Sequence, residues 1–278
     1  MVDTVEEASP EPASAPHKTW GDWVRFALRG IGQVLITAGV VVLLFVVYEV
    51  YVTNYFAHAA QSKVKHELLK EFVERKDPLR GTGDGKLTLP GSKTPTVPEG
   101  TGIAFLYIPR LGQDYAWAIV QGTDDADLEK GPGHYIGSAL PGQVGNFAVA
   151  GHRVGKGEPF LNLDHLQAGD AVIVQTESKW FVYRVLGDDG NIDAPDPAVQ
   201  NIPGREIVSP ADGTVLYPVP DHSPALTPTE RLMTMTTCHP KFTASHRMVL
   251  HAVLAKTYPA SGVTMPAPVK NLYSSQES

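Results

Sequence analysis

The stretch Leu232-Met233-Thr234-Met235-Thr236-Thr237-Cys238-His239-Pro240 decides the fold. Apolar and β-branched residues run to a thiol, and a proline then ends the ladder because it has no N–H to donate. Similar short runs occupy Ile103–Ile108, Trp117–Val120, Asn146–Ala150, Ala171–Gln175, Trp180–Val185 and Met248–Leu254. Between them stand turn signals such as Pro109-Arg110-Leu111-Gly112, Gly131-Pro132-Gly133 and Pro141-Gly142. No long helical pattern alternates with these runs, which argues against a parallel α/β sheet. A mainly β fold follows, a closed or nearly closed antiparallel barrel of about 155 residues. It is placed at residues 101–258, with 259–278 as a flexible C-terminal tail.

Outward from that block the texture changes. Residues 1–30 carry Pro10, Pro12, Pro16 and five acidic residues, and are read as a disordered cytoplasmic tail. From Ile31 to Tyr48 no residue is charged. A run of that length reaches across a hydrocarbon core of ~30 Å, so residues 31–52 are assigned to one N-terminal transmembrane helix. A signal peptide is the rival reading, but no small-residue cleavage site follows at once. Lys18, Arg25 and Arg29 before the span tie with Lys63, Lys65 and Lys70 beyond it, and the nearer pair Arg25 and Arg29 favours a cytoplasmic N-terminus.

Residues 53–100 are read as a helical stem and a Pro/Gly-rich linker. Val64, Leu68, Leu69, Phe72 and Val73 have helical spacing. The stem reads as a spacer, with a lid as the alternative. The glycine-rich piece Gly81–Lys86 fails as a phosphate loop, because Arg80 stands in place of the first glycine and Leu87 in place of the Ser or Thr.

Composition narrows the function. The chain of 278 residues has a net charge of -7, so it lacks the basic excess of a sequence-independent nucleic-acid binder. Its single cysteine excludes an intrachain disulfide and a multi-Cys zinc site. No dense acidic loop of calcium-ligand pattern is evident, and Asp124-Asp125-Ala126-Asp127 is read as a solvated turn. No metal and no cofactor are expected.

That leaves Cys238 as the candidate nucleophile. A thiol at a strand end, beside a break into a loop, is reachable by substrate, whereas most free cysteines are small buried hydrophobes. The thiolate is the reactive form, so it needs a base or a cationic partner. Among ten histidines, His152 stands out, because it follows the strand Asn146–Ala150 and a glycine, at a strand end like the thiol. His239 adjoins Cys238, but neighbours on an extended chain face opposite ways. His134 is expected to be a loop residue that packs or hydrogen-bonds locally, and His251 to be a satisfied core or surface residue. Arg247 opens the last strand, nine residues beyond Cys238, a spacing that suits an adjacent antiparallel strand. A guanidinium there is the candidate to stabilise an oxyanion.

The set Ala150-Gly151-His152-Arg153, Thr236-Thr237-Cys238 and Arg247 resembles the sortases, cysteine transpeptidases of Gram-positive cell surfaces. Tyr107-Ile108-Pro109-Arg110-Leu111, Gly131-Pro132-Gly133-His134-Tyr135 and Ser138-Ala139-Leu140-Pro141-Gly142 match as well. The run from Thr236 to Arg247 is similar to the class E branch of actinobacteria. The resemblance implies an eight-stranded β-barrel with short helices. It implies cleavage of an LPxTG- or LAxTG-type sorting signal between Thr and Gly through a thioester. A peptidoglycan-precursor or pilin amine then takes the acyl group. Carried over, Cys238 is the nucleophile, His152 the general acid and then base, and Arg247 the residue that holds substrate and oxyanion. Tyr107 and Thr237 are assigned to substrate binding from their position near the expected groove. The family's topology places the barrel outside the cell membrane on a single-pass anchor, with sorting-signal-bearing surface proteins as partners.

Two readings compete with it. A hydrolytic cysteine peptidase would use the same Cys–His pair and water, and a membrane-tethered binding barrel would leave the thiol incidental.

Overall fold

The computed structural model describes residues 20–48, 53–74, 76–79, 97–187 and 201–274. The tail before Trp20, residues 49–52, the linker 80–96 with its glycine-rich piece, and residues 275–278 lie outside that set.

Two compact units are present, Met1–Tyr48 and Glu49–Ser278. The first is helix α1 (Trp20–Val47). Within it Trp23–Val47, 25 residues, is long and apolar enough to cross a membrane, and none of it is buried. At 1.5 Å per residue it extends ~37 Å, more than a hydrocarbon core needs. The helix begins eleven residues before the expected start at 31, so Trp20–Gly30 does not belong to a disordered tail. Trp23, Val24, Phe26 and Leu28 extend the apolar pattern, and Arg25 and Arg29 do not interrupt it because such side chains can reach toward an interface.

The second unit is built on nine strands: β1 (Gly102–Tyr107), β2 (Ala116–Gln121), β3 (Gly133–His134), β4 (Gly145–Ala150), β5 (Ala171–Gln175), β6 (Lys179–Val185), β7 (Arg205–Val208), β8 (Arg231–His239) and β9 (His246–Pro259). Eight of them form a ring in the order β6-β5-β1-β2-β3-β4-β8-β9, closed by β9 pairing with β6. Closure removes the exposed sheet edges that otherwise invite aggregation. β7 adds to β9 outside the ring. The expected eight-stranded barrel is therefore present.

The barrel is not purely antiparallel. β2 pairs β3 in parallel over two residues, and β4 pairs β8 in parallel over six. A parallel neighbour needs a long crossover, and the chain leaves β4 at Ala150 and returns only at Arg231. Leu106, Ile119, Phe147, Val149, Tyr183, Met233, Met235 and Leu250 fill the interior.

Helices dress the barrel. Helix α2 (Thr53–Val73) lays Val64, Leu68 and Phe72 on Phe105, Ala118 and Val120. Gln61 inserts like a strand residue: its Oε1 accepts from the Ala118 amide at 2.7 Å, and its Nε2 donates to the Ala118 carbonyl at 3.2 Å and to that of Lys130. The stem is thus docked on the barrel rather than held off as a spacer. Its buried stripe is Ala57, Gln61, Val64, Leu68 and Phe72, while Leu69 and Val73 of the expected face are exposed. Helix α3 (Asp125–Leu128) replaces the expected solvated turn, and Asp127 is buried with Lys130 at 3.3 Å. Within the expected C-terminal tail, helix α4 (Ala267–Ser274) buries Val269 against a cluster that includes Ile173, Trp180 and Val182. That part of the tail is packed.

Candidate active site

The parallel pairing sets the site. On β4 and β8, Ala148 lies opposite Thr234 and Ala150 opposite Thr236. His152 follows Ala150 by two residues and Cys238 follows Thr236 by two, so both stand just past the last pair of that ladder. On the other edge of β8, Cys238 is the antiparallel partner of Arg247. Strand alternation sends Met233 and Met235 into the core, so Thr234, Thr236 and Cys238 share the outer face. Met248 and Leu250 likewise point inward, which leaves Arg247 outside with the thiol. Three strands thus bring Cys238, His152 and Arg247 to one barrel end.

Local chemistry holds the strand ends in place. The Gly151 amide donates to the Thr236 carbonyl at 3.0 Å, and the Thr237 hydroxyl donates to the Gly151 carbonyl at 2.7 Å. Gly151 is required by space: a Cβ there would lie 2.5 Å from the buried Phe160 ring. The Phe160 amide in turn donates to the His152 carbonyl at 3.0 Å.

Cys238 is partly accessible. The His152 imidazole is half-buried, and its Nε2 is buried without a hydrogen-bond partner among the described residues. Burial holds its pKa below the usual imidazole value, Lys156 adds to that, and Asp125 and Glu129 oppose it. The neutral ring is therefore favoured near pH 7. The Arg247 guanidinium donates through Nη1 to the carbonyls of Ala244 and His246, each at 3.1 Å, along its own hairpin.

The two residues assigned to substrate binding are placed differently. Tyr107 ends β1, the strand diametrically across the ring from β8. Its ring faces outward, 5.6 Å from that of Trp180, and its hydroxyl bonds Gln175 Oε1 at 2.9 Å. Burial pushes its pKa up. Tyr107 packs the wall and is not brought to Cys238, because β1 stands on the opposite side of the ring from β8. Thr237 is at the site but buried, its hydroxyl already committed to Gly151.

The other histidines behave as their contexts suggest. His134 is buried, bonded to Gln121, Ala139 and Ser138, and burial pushes its imidazole down to about 4. His251 is buried between Thr234 Oγ1 at 2.9 Å and Glu206 Oε1 at 3.0 Å. Glu206, Asp221 and His251 hold ligand-type atoms within 4.8 Å of one another. His251 pairs Thr234 on β8, so this group lies away from the strand end of Cys238.

One residue of the site went unread. Arg153, directly after His152, is buried, and its Nη1 donates to His239 Nδ1 at 2.8 Å and to the Cys238 carbonyl at 3.4 Å. Its Nη2 lies 3.0 Å from Asp164 Oδ2. The sequence offered Arg153 as part of the motif Ala150-Gly151-His152-Arg153, which gave it no role.

The closed barrel thus carries its one thiol near the end of β8, paired with Arg247 on β9, with His152 just past the neighbouring β4. The chain belongs to the sortase family, whose Sortase domain model matches residues 106–255. It is 35% identical over 242 residues to sortase SrtE1 of Streptomyces coelicolor, covering 84% of this chain and 59% of that protein. It therefore spans less than two thirds of that relative. Sortase SrtE2 of the same organism is 30% identical over 247 residues, covering 86% of this chain and 87% of that one. The SrtF sortase structure from Corynebacterium diphtheriae superposes with a TM-score of 0.59 at 40% identity, covering 66% of this chain and 98% of that one.

Proposed function

We propose that this sortase is a cysteine transpeptidase that cleaves an LPxTG- or LAxTG-type sorting signal between Thr and Gly and passes the surface protein to a cell-wall or pilin amine. The observation that supports the reading is the pairing of Cys238 on β8 with Arg247 on β9, beside a β4 ladder that ends at Ala150, two residues before His152.

In this reading the resting pair is thiol and neutral imidazole. The Cys238 proton moves to His152 as the sulfur attacks the Thr carbonyl carbon and the C–S bond forms. Arg247 turns from its own hairpin carbonyls to the oxygen that gains charge and stabilises it. Collapse of the tetrahedral adduct breaks the C–N bond, and His152 returns its proton to the departing glycine amine. A thioester remains. An incoming primary amine attacks it, loses its proton to His152, and expels the Cys238 sulfur, which takes the proton back. The amide is rebuilt on the acceptor and the enzyme is unchanged.

Helix α1 serves as the single-pass membrane anchor, with the barrel on the extracytoplasmic side. The length and composition of Trp23–Val47 support this assignment. Thr237 acts by holding the strand ends together.

The test is product analysis with a sorting-signal peptide and a primary amine. Wild-type protein is expected to give the amide adduct with the amine, and Cys238→Ala none. Hydrolysis alone at saturating amine, or turnover by Cys238→Ala, would sink the reading.

A further inference from the structure

We propose that Arg153 is a positioning residue that sets the spacing of His152 and Cys238 by tying together the two chain segments that follow them. The inference rests on the roles given above to His152 and Cys238.

The geometry is a bracket. One residue before the pair, Thr237 Oγ1 reaches the Gly151 carbonyl at 2.7 Å. One residue after it, Arg153 Nη1 reaches His239 Nδ1 at 2.8 Å. The pair is thus cross-tied on both sides between the end of β4 and the end of β8. The contact from the same nitrogen to the Cys238 carbonyl, at 3.4 Å, is long, so the His239 tie carries the argument.

The chemistry of the tie is defined by its donor. A guanidinium only donates, so His239 Nδ1 must offer its lone pair, and a neutral His239 then carries its proton on Nε2. Asp164, from the 3-10 turn Leu163–His165, lies 3.0 Å from Nη2 and fixes the plane of the fork from a third element. A planar, two-ended cation suits this better than a lysine, which offers a single point charge. Arg153 is 4% exposed, so it has little surface with which to touch a substrate.

The bland alternative is that Arg153–Asp164 is only an ion pair between a buried guanidinium and a partly exposed carboxylate. Such pairs contribute little net stability, although breaking one is costly. The two readings differ over His239, which the ion pair does not need and the bracket does.

The experiment compares Arg153→Lys, His239→Phe, His239→Asn and Asp164→Asn in the full chain, with kcat and KM for a sorting-signal peptide and the thermal midpoint of each. A small displacement of reacting groups can cost on the order of 10²-fold in rate. Arg153→Lys is expected to lower kcat by about that factor, and His239→Phe by roughly tenfold, with KM unmoved in both. His239→Asn, whose amide oxygen can accept where Nδ1 did, is expected to recover most of the His239→Phe loss. Wild-type kcat in His239→Phe overturns the proposal, as does equal loss in the Phe and Asn variants. So does a kcat loss that follows the thermal midpoint in Asp164→Asn while His239→Phe is normal. If Arg153→Lys does not fold, the His239 pair decides alone. Cys238→Ala run alongside separates the two levels: if it still turns over, the parent reading fails, whereas a dead Cys238→Ala beside a normal His239→Phe removes only the bracket.

Discussion

Thr237 donates its hydroxyl to the carbonyl of Gly151 at 2.7 Å, one residue ahead of Cys238 on β8 and one ahead of His152 beyond β4. The bond crosses between two strands that the chain joins only by a long detour, so a buried side chain secures the spacing of the two reacting groups. Thr237→Val removes the donor and leaves a carbonyl unpaired at a buried site. The expected cost is about 1–3 kcal/mol in chemical denaturation. The kcat for a sorting-signal peptide should fall while KM holds. A rise in KM alone would return Thr237 to substrate contact.

Gly151→Ala should be worse than its size suggests. The added methyl would meet the Phe160 ring at 2.5 Å, and both the ring and the strand end are packed. Overpacking of this kind costs typically 1–3 kcal/mol. Pairing it with Phe160→Leu, which clears space, should recover part of the lost stability in a thermal melt. No recovery would mean that the glycine is needed for its backbone instead.

The pH dependence of acylation should respond to charges around His152. Lys156 lowers its pKa and Glu129 raises it, and those two side chains also meet each other at 3.1 Å. In the mechanism above, activity is lost as pH falls and the imidazole takes up its proton before Cys238 can supply it. Lys156→Met should therefore move the acid limb of kcat/KM to higher pH, and Glu129→Gln should move it to lower pH. Both shifts should be under about one unit and should shrink with salt, because these groups are partly exposed. Identical acid limbs in all three proteins at low salt would remove these charges from the control of His152.

Docking of α2 can be tested by contrast along the helix. Phe72 is buried edge-on to Phe105 at 5.6 Å, while the adjacent Val73 is 70% exposed. Phe72→Ala should cost about 3–5 kcal/mol, and Val73→Ala no more than about 0.5 kcal/mol. Equal, small losses in denaturant would mean that the stem stands away from the barrel.

The class of fold was legible because the strand runs are short, β-branched and punctuated by Gly and Pro. Cys238 and His152 were legible because each follows an apolar run that ends at a backbone break, Pro240 in one case and Gly151 in the other. Pairing was less accessible. A strand announces itself in its own residues, but its partner and direction are set by the whole packing, which is why the parallel union of β4 and β8 did not emerge. Arg153 stayed hidden for a related reason: its partner His239 lies 86 positions away, and only that pairing makes them neighbours. Tyr107 was misplaced because the order of strands round the ring, which sets β1 opposite β8, is not written in the residues of β1. The docking of α2 and α4 was obscure because their apolar stripes complete a surface that only the closed barrel creates.

The closing strand β9 has a consequence for biosynthesis. It supplies Arg247 at its start and the seam with β6 at its end, and it follows the other eight strands in sequence. Until it arrives, the sheet is an open ribbon with two unsatisfied edges, β6 and β8, and Cys238 sits on one of them. A nascent or truncated polypeptide ending before His246 is thus a sticky, thiol-bearing intermediate. Loss of β9 would therefore open the ring at β6 and at β8 in one step and remove the strand partner of Cys238 with it.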